Sequence, residues 1–316
     1  MDSSPRISVL IITYKQSNLI SRALDSVLKQ REYVYEICVS DDCSPDDTFT
    51  ILQEYKKQYP ELIKIHQNKE NLGIFMNLEQ VWSMPTGDIV YTLAGDDECG
   101  DGWLKAVTDY VRNNNLSMID RFCIYGDYRC QYPNGDSLVF RNNALNTKID
   151  SLRLANRNKI GNRSVCSSIE VLRQFSRVSM GRSHIAESAQ ARQFQLFSDR
   201  DYYIPVVGNV YHVGVGVSSH LSLNDRLDRL GIRQYTKEVL LKLGAQIPRK
   251  DLFFFDYCSA RVRFKFNHEL FSLLQMIKYR VLSFDFRIDI LKFGYKKKLF
   301  SILRRLPHKR PLHFVV

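Results

Sequence analysis

The sequence predicts an α/β protein built on an open, mostly parallel sheet with helices packed against it. Three observations lead to this prediction. Strand-like and helix-like segments alternate through the first 115 residues, the strand-like segments are short apolar runs, and turn or capping residues separate them. The composition agrees, because 44% of the 316 residues are hydrophobic and 25% are charged, which excludes disordered and collagen-like chains.

The first strand and helix are marked by a change in apolar spacing. Residues 7–13 (ISVLIIT) form a continuous, largely β-branched run, which is typical of a parallel strand covered on both faces. Apolar residues then recur at helical spacing from Leu19 to Leu28, and Asn18 is the expected N-cap. These two elements begin a β–α–β series.

The same alternation continues to residue 94. Asp46 and Asp47 offer caps for the second helix, and Pro85 and Gly87 end the third. Parallel strands in this order imply right-handed crossovers. The remaining predicted elements are a strand over 36–40, a helix over 48–55, a strand over 63–66, a helix over 72–84 and a strand over 88–94.

Charge divides the chain into two regions. Residues 1–219 hold 24 basic and 26 acidic residues, a net charge of −2, whereas residues 220–316 hold 21 basic and 8 acidic residues, a net charge of +13. The overall charge of +11 therefore belongs to the last third. The pattern over 116–219 is less regular, and it predicts short strands over 121–128 and 206–217 and a helix over 185–196. From 220 onward it predicts helices.

Membrane-spanning and disulfide signals are both weak. No run of 18 or more apolar residues occurs, and residues 1–14 do not have the pattern of a secretory signal, so we expect a cytoplasmic protein. The seven cysteines are scattered without a C-x-x-C pair. This spacing argues against a disulfide framework and against a structural zinc site.

Two acidic pairs follow strands of the predicted sheet. Asp41–Asp42 comes after the second strand and Asp96–Asp97 after the fourth, at the edge where such sheets bind ligands. Neither G-x-G-x-x-G after the first strand nor a Walker pattern is present, so no glycine-rich phosphate loop is expected. Carboxylates suit Mg²⁺ or Mn²⁺ shared with a nucleotide diphosphate. The alternative is that these acids are turn residues and helix caps.

Several segments in order resemble the N-terminal half of family 2 glycosyltransferases. The resemblance covers about residues 6–105 and returns near 185–219. It implies a GT-A fold, which is a Rossmann-type α/β fold, and an inverting transfer from a nucleotide-sugar donor. The segments that carry it are 8–14 (SVLIITY), 36–48 (EICVSDDCSPDDT), 70–73 (ENLG) with Asn77, 86–88 (TGD) and 94–97 (AGDD).

The resemblance also implies domains and site residues. A glycosyltransferase domain would span 1–219, with a nucleotide-binding half over 1–115 and an acceptor half over 116–219, followed by a basic helical region over 220–316. Asp42 would contact the edge of a uracil-like base, and Asp96 would bind Mn²⁺ or Mg²⁺ with Asp97 close by. Thr13 and Tyr14 would border the base and the ribose, and Asn71, Gly73 and Asn77 would line the donor site. The alternative for these last three is a loop and the first turn of a helix.

The chain departs from the family pattern at the expected metal site and at the expected base. Where D-x-D-D is usual, the first acid is replaced by Ala94. The family's catalytic base lies in a Glu-Asp pair that opens a helix, and the match here is Glu187 followed by Ser188. Glu187 is therefore the expected base, with Asp199 and Asp201 in reserve. The alternative is a solvated glutamate in the first turn of a helix.

Two further donor-site residues lie in a glycine-rich segment over 211–219 (YHVGVGVSS). It resembles the family segment that closes over the donor. His212 and Ser218 are expected to contact the diphosphate or its cation, since glycines let backbone N–H groups approach phosphate. The alternative is a simple strand and turn.

The end of the chain is basic and amphipathic. From Lys292 onward there are eight Lys and Arg and no acidic residue. On a helix the apolar residues between 291 and 306 share one face and the basic ones lie opposite, which is typical of a helix in an anionic membrane interface. Packing on the catalytic domain is the alternative. RNA binding is a further one, but no RNA-binding motif is present and nucleic acid is not expected as a partner.

The sequence therefore predicts a metal-assisted, inverting glycosyltransferase that uses a UDP- or TDP-sugar. Its acceptor would be a glycan or an undecaprenyl-diphosphate-linked glycan, as in bacterial surface polysaccharide or O-antigen assembly, presented at the inner face of the cell membrane. Two alternatives remain open. They are a nucleotidyltransferase or nicotinamide enzyme on a similar sheet, and a non-catalytic basic adaptor for membranes or RNA.

Overall fold

The structure is a computed structural model that describes three continuous ranges, residues 4–141, 164–174 and 197–215. Beyond these it describes positions 256, 260, 271, 273–275, 277, 278 and 313–315. The strands are β1 Ile7–Thr13, β2 Glu36–Asp41, β3 Ile63–Gln67, β4 Ile89–Ala94, β5 Glu98–Cys99, β6 Phe122–Gln131, β7 Ser137–Phe140, β8 Val165–Ser168, β9 Arg200–His212 and β10 His313–Val315. The helices are α1 Ile20–Leu28, α2 Thr48–Gln58, α3 Ile74–Trp82, α4 Trp103–Asn113 and α5 Ile169–Arg173, with a 3₁₀ turn at Arg31–Tyr33.

The described strands form one sheet in the order β3-β2-β1-β4-β8-β6-β7-β10. The first four of these are mutually parallel, and β8 is antiparallel to both of its neighbours. The long strand β9 lies parallel to β6 and also pairs with β5. The α/β prediction with a mostly parallel sheet is confirmed. Chain order reverses between β1 and β4, so a crevice is expected at their carboxyl ends.

Helices cover both faces of the sheet. On one face α1, α2 and α4 bury the side chains of β1, β2 and β4 around Trp103 and Leu24. On the other face α3 packs on β1 and β2 through Leu78 and Val81, and α5 packs beside it through Leu172. Burial on both faces explains why these strands are continuous apolar runs rather than alternating ones.

Three elements differ from the sequence prediction. Leu19, not Asn18, precedes the first residue of α1, and no side chain caps that helix. Strand β9 begins at Arg200, six residues before the predicted run over 206–217, because its first residues are charged or aromatic rather than β-branched. His313–Val315 is a strand paired with β7, although a helix was predicted there. The predicted helices elsewhere in 220–316 lie largely outside the described residues.

The amino-terminal edge of the sheet is held by one buried carboxylate. Glu36 accepts hydrogen bonds from the Ser8 hydroxyl at 2.7 Å, the Thr86 N–H at 2.5 Å and the Gly87 N–H at 3.2 Å, and it pairs with Lys64 at 2.5 Å. A Cβ at Gly87 would lie 2.5 Å from the Ser8 hydroxyl oxygen, so only glycine fits. The TGD segment therefore stabilises the edge opposite the crevice.

Replacing Glu36 with Gln should destabilise the protein and flatten its response to acid. Burial raises the pKa of Glu36, but hydrogen bonds from Lys64, Thr86 and Ser8 outweigh it, so the net pKa lies below the ordinary value. Such a group contributes stability that is present above its unfolded-state pKa and is lost as pH falls through the folded-state pKa. Glu36→Gln should cost about 1–3 kcal/mol near pH 7, measured by urea unfolding.

The control is Glu32→Gln, because Glu32 is an exposed glutamate on the neighbouring 3₁₀ turn. It should unfold like the wild type at every pH. Below about pH 4.5 the wild type should lose stability more steeply than Glu36→Gln. Equal stability of Glu36→Gln and the wild type at pH 7 would show that this carboxylate does not hold the edge.

Candidate active site

The ends of three strands meet at the carboxyl edge of the sheet. Register places Thr13 of β1 beside Asp41 of β2, and Ile12 of β1 beside Ala94 of β4. The predicted residues Thr13, Asp42 and Asp96 therefore lie at one edge. This edge contains the point where chain order reverses, which is the usual ligand position in open α/β sheets.

Asp42 is 2% exposed and is bonded to three groups of the protein. Its Oδ1 accepts hydrogen bonds from the Asn68 side-chain amide at 2.9 Å and from the Leu72 N–H at 2.8 Å. Its Oδ2 accepts one from the Gly73 N–H at 2.8 Å. A carboxylate offers about four acceptor positions, so these three bonds leave one unused within the described part of the chain. Asp42 thus fixes the chain entering α3, a role that its position at a strand end did not indicate.

Asn77 and Asn68 complete this buried junction. The Asn77 amide donates to the Ser40 carbonyl at 3.0 Å, and its oxygen accepts from the Ser40 hydroxyl at 2.6 Å and from Asn68 at 3.1 Å. The polar atoms of Asn77 are therefore satisfied by the protein itself, and α3 is tied to the end of β2. Asn68 was not predicted as a site residue, although its position directly after the third strand is the kind that indicates one.

Gly73 and Asn71 occupy the loop before α3. Gly73 has φ +84° and ψ 163°, a conformation that is essentially restricted to glycine, while a Cβ there would meet nothing within 4 Å. Backbone geometry, rather than crowding, requires glycine at this position. Asn71 is exposed in the same loop and is accessible to a ligand at this edge.

The turn after β1 presents Tyr14 and Lys15. The Lys15 ammonium lies 5.1 Å from the centre of the Tyr14 ring, and the Lys15 backbone is left-handed at φ +54°. Its N–H donates to the Ser44 hydroxyl at 3.0 Å, which ties this turn to the segment after β2. Thr13 precedes them, and its buried Oγ1 has no hydrogen-bond partner within the described part of the chain. This turn therefore places the Tyr14 ring and the Lys15 ammonium directly after the Thr13 hydroxyl in the chain.

Asp96 and Asp97 follow β4 at a very close approach of the chain. A Cβ at Gly95 would lie 2.3 Å from the Gln16 side-chain oxygen and 3.0 Å from the Ile12 carbonyl oxygen, so a larger residue there would displace the Gln16 side chain. Asp96 is half-buried, whereas Asp97 is buried and accepts a long hydrogen bond of 3.4 Å from Asn209. The sequence predicted both acids as site residues, and the structure adds Asn209 as a neighbour of Asp97.

These carboxylates fit a hard divalent cation. Within the ranges that the structure describes, no three His, Cys, Asp or Glu side chains converge as a preformed metal site. Mg²⁺ and Mn²⁺ are commonly held by one or two carboxylates together with substrate phosphates. Asp96 and Asp97 match that arrangement, in which the ligand completes the coordination.

The predicted residue His212 lies beside the acidic segment after β4. Its Nε2 is 2.5 Å from Oε1 of Glu98, and the Nε atom of Arg22 is 3.5 Å from the same oxygen. Arg22 also donates to the Asp96 carbonyl at 2.7 Å. The sequence did not predict Glu98 or Arg22 as site residues. The contact of Glu98 with His212 depends on the pairing of β5 with β9, and its contact with Arg22 depends on the packing of α1 against β5.

Asp199 and Asp201, the reserve candidates for the base, lie near the amino-terminal edge of the sheet. Register aligns Asp201 with Cys123, Ser167 and Val90, near the amino-terminal end of β4. Burial raises the pKa of Asp201 to about 7, but the group is remote from the strand ends described above. Asp199 pairs through both carboxylate oxygens with Arg121 at 2.8 Å. The predicted base Glu187 and the predicted ligand Ser218 lie outside the described residues.

Known proteins share this sequence pattern and this fold. The putative glycosyltransferase EpsE of Bacillus subtilis is 33% identical over 97 residues, which is 31% of this chain and 35% of EpsE. The fold is similar to that of S. aureus TarS 1–349 in complex with UDP-GlcNAc, with a TM-score of 0.60 and 16% identity over 87% of this chain and 79% of that one. It is also similar to the mannosyltransferase PcManGT from Pyrobaculum calidifontis in complex with GDP-Man and Mn²⁺, with a TM-score of 0.54 and 15% identity over 96% and 83% of the two chains.

The match to EpsE spans about a third of that protein's length. The family match is broader. Residues 8–168, just over half of the chain, match the profile of glycosyl transferase family 2, and this range includes both acidic pairs and the whole junction around Asp42. The chain belongs to glycosyl transferase family 2.

Proposed function

We propose that this protein transfers a sugar from a nucleotide-sugar donor to a glycan or a lipid-linked glycan, with inversion at the anomeric carbon. The observation that carries the proposal is the meeting of Thr13, Asp42 and Asp96 at one sheet edge, in a chain of this family. A rigid edge of this kind holds a donor in place before the acceptor arrives, which lowers the entropic part of the barrier.

Inverting transfer is a single displacement. An acceptor hydroxyl attacks the anomeric carbon as the nucleoside diphosphate departs, and a carboxylate on the attacking side accepts the hydroxyl proton. Glu187 is the proposed base, and the position of Asp201 level with Val90 near the start of β4 supports this choice over the reserve candidates Asp199 and Asp201. Arg22, whose guanidinium lies against the Asp96–Glu98 segment, contributes a fixed positive charge near the departing diphosphate.

The proposed donor is a UDP- or TDP-sugar and the proposed cofactor is Mn²⁺ or Mg²⁺. Asp96 would hold the cation with Asp97 nearby, and the cation would offset the charge that develops on the leaving diphosphate. The Tyr14 ring and the remaining acceptor position of Asp42 suit the base of the nucleotide. The complexes of TarS with UDP-GlcNAc and of PcManGT with GDP-Man and Mn²⁺ support this assignment by analogy.

The proposed acceptor is lipid-linked, as undecaprenyl-diphosphate glycans are, and the protein would meet it at an anionic membrane surface. Within the residues that the structure describes, no helix has both the length and the apolar character needed to cross a membrane. Helical positions Phe271, Leu274 and Ile277 are 67%, 56% and 51% exposed, whereas the polar Gln275 is half-buried. An outward apolar face within a region of net charge +13 is suited to an anionic bilayer.

Calorimetry with UDP, TDP and GDP in the presence of Mn²⁺ tests the donor site. We expect binding of at least one nucleotide. Loss of a residue that supports a metal ligand typically lowers metal affinity about 10–100-fold. Because Asp96 is itself a proposed ligand, Asp96→Ala should weaken the Mn²⁺-dependent part of nucleotide binding by at least that factor. The matched control is Asp109→Asn, which removes an exposed carboxylate paired with Lys105 on α4. Failure to bind any of the three nucleotides, or unchanged binding by Asp96→Ala, would refute the proposal.

Sedimentation with vesicles of phosphatidylcholine and phosphatidylglycerol tests the membrane contact. Changing Lys296, Lys297 and Lys298 together to Gln should cost about 3 kcal/mol of binding, roughly a hundredfold in partitioning, because each basic residue near an anionic surface contributes about 1 kcal/mol. Added salt should weaken wild-type binding. Substitution is preferable to deletion, since removing 292–316 would also remove β10.

Leu274→Ser should also weaken vesicle binding, because it removes apolar area from the exposed helical face. The matched control is Ile119→Ser, which changes an exposed apolar residue outside that face and should bind like the wild type. Salt-independent binding, or equal binding by all variants, would contradict a membrane role for this region.

A further inference from the structure

Three elements bring ionisable side chains together around Glu98. The Glu98 carboxylate lies on the two-residue strand β5, directly after Asp97, and contacts His212 from β9 and Arg22 from α1. The Nε2–Oε1 distance to His212 is 2.5 Å, and the Arg22 Nε atom is 3.5 Å from the same oxygen. We call this set of three side chains the Glu98 clasp.

The backbone around the clasp is built for close approach. Register pairs Glu98 with Val210 and Cys99 with Asn209, and the Gly100 N–H continues the pairing to the Gly208 carbonyl at 3.1 Å. A Cβ at Gly100 would fall 1.7 Å from the Val207 carbonyl oxygen, so glycine alone permits this contact. The short strand therefore holds Glu98 firmly against β9, although only two residues define it.

The partner of Nε2 determines the chemistry of the His212 ring. An ionised carboxylate only accepts hydrogen bonds, so a neutral ring bonded to Glu98 must carry its proton on Nε2. Nδ1 is then the acceptor atom of the ring, with a lone pair suited to a cation. A carboxylate behind a histidine is the usual way in which proteins fix the tautomer and orientation of a metal-binding imidazole.

We propose that Glu98 is a positioning residue that fixes His212 with Nδ1 as a ligand for the divalent cation of the donor complex. The inference rests on the proposed function, since that cation arrives with the nucleotide. Arg22 contacts the same carboxylate oxygen of Glu98, and it connects the clasp to the backbone of Asp96.

The experiment measures Mn²⁺ binding by electron paramagnetic resonance, in the presence of saturating UDP or of whichever nucleotide the wild type binds. Glu98→Ala should lower Mn²⁺ affinity about 10–100-fold. Glu98→Gln should lose less, because its amide oxygen still accepts the Nε2 hydrogen, and this near-isosteric change keeps the test valid if the alanine variant fails to fold. Asp109→Asn is the control and should bind Mn²⁺ like the wild type.

A double-mutant cycle separates positioning from general structural support. In a His212→Ala background, Glu98→Ala should cause no further loss of Mn²⁺ affinity, because Glu98 acts through the ring. Nucleotide affinity without metal should be equal in the wild type and Glu98→Ala. Independent losses from the two substitutions, or an equal loss of nucleotide affinity with and without Mn²⁺, would overturn the inference.

The two proposals fail in different ways. A wild type that binds no nucleotide with Mn²⁺ overturns the proposed function, and the inference with it. A wild type that binds both, together with a Glu98→Ala variant of unchanged Mn²⁺ affinity, overturns only the role of Glu98.

Discussion

The buried carboxylate of Asp42 is the interaction on which the carboxyl edge depends. A charge taken out of water needs hydrogen bonds, and Asp42 obtains them from Asn68 and from the N–H groups of Leu72 and Gly73. Its own N–H donates to the Thr13 carbonyl at 3.0 Å. One group therefore ties the ends of β1 and β2 to the segment after β3 and to the start of α3, so the edge is organised before any ligand binds.

The two edges of the sheet perform different tasks with similar residues. At the amino-terminal edge Glu36 is surrounded by donors and a lysine, which leaves it a stabilising role. At the carboxyl edge Asp96 is half-buried beside an arginine and a Glu98–His212 pair. Acid residues at both edges share one physical requirement, namely partners for a buried charge, yet only the second edge lies at the reversal of chain order where ligands bind.

Sequence patterns predicted those parts of the fold that depend on local periodicity. Strands β1, β2 and β4 were found because both of their faces are buried, and Asp42 and Asp96 were found because they follow such strands. Strand β5 is too short to have a period, so Glu98 and its contact with His212 were missed. Asp201 was misplaced because the edge on which a residue lies depends on strand register, which the sequence does not display.

The central claim is that this edge holds a nucleoside diphosphate through its cation. A crystal structure of the full chain grown with UDP and Mn²⁺ tests it most directly. We expect the nucleotide to lie across the ends of β1, β2 and β4, with its base near Tyr14 and its cation bound by Asp96. A nucleotide bound at another surface, or a cation held at the edge without Asp96, would contradict this binding mode.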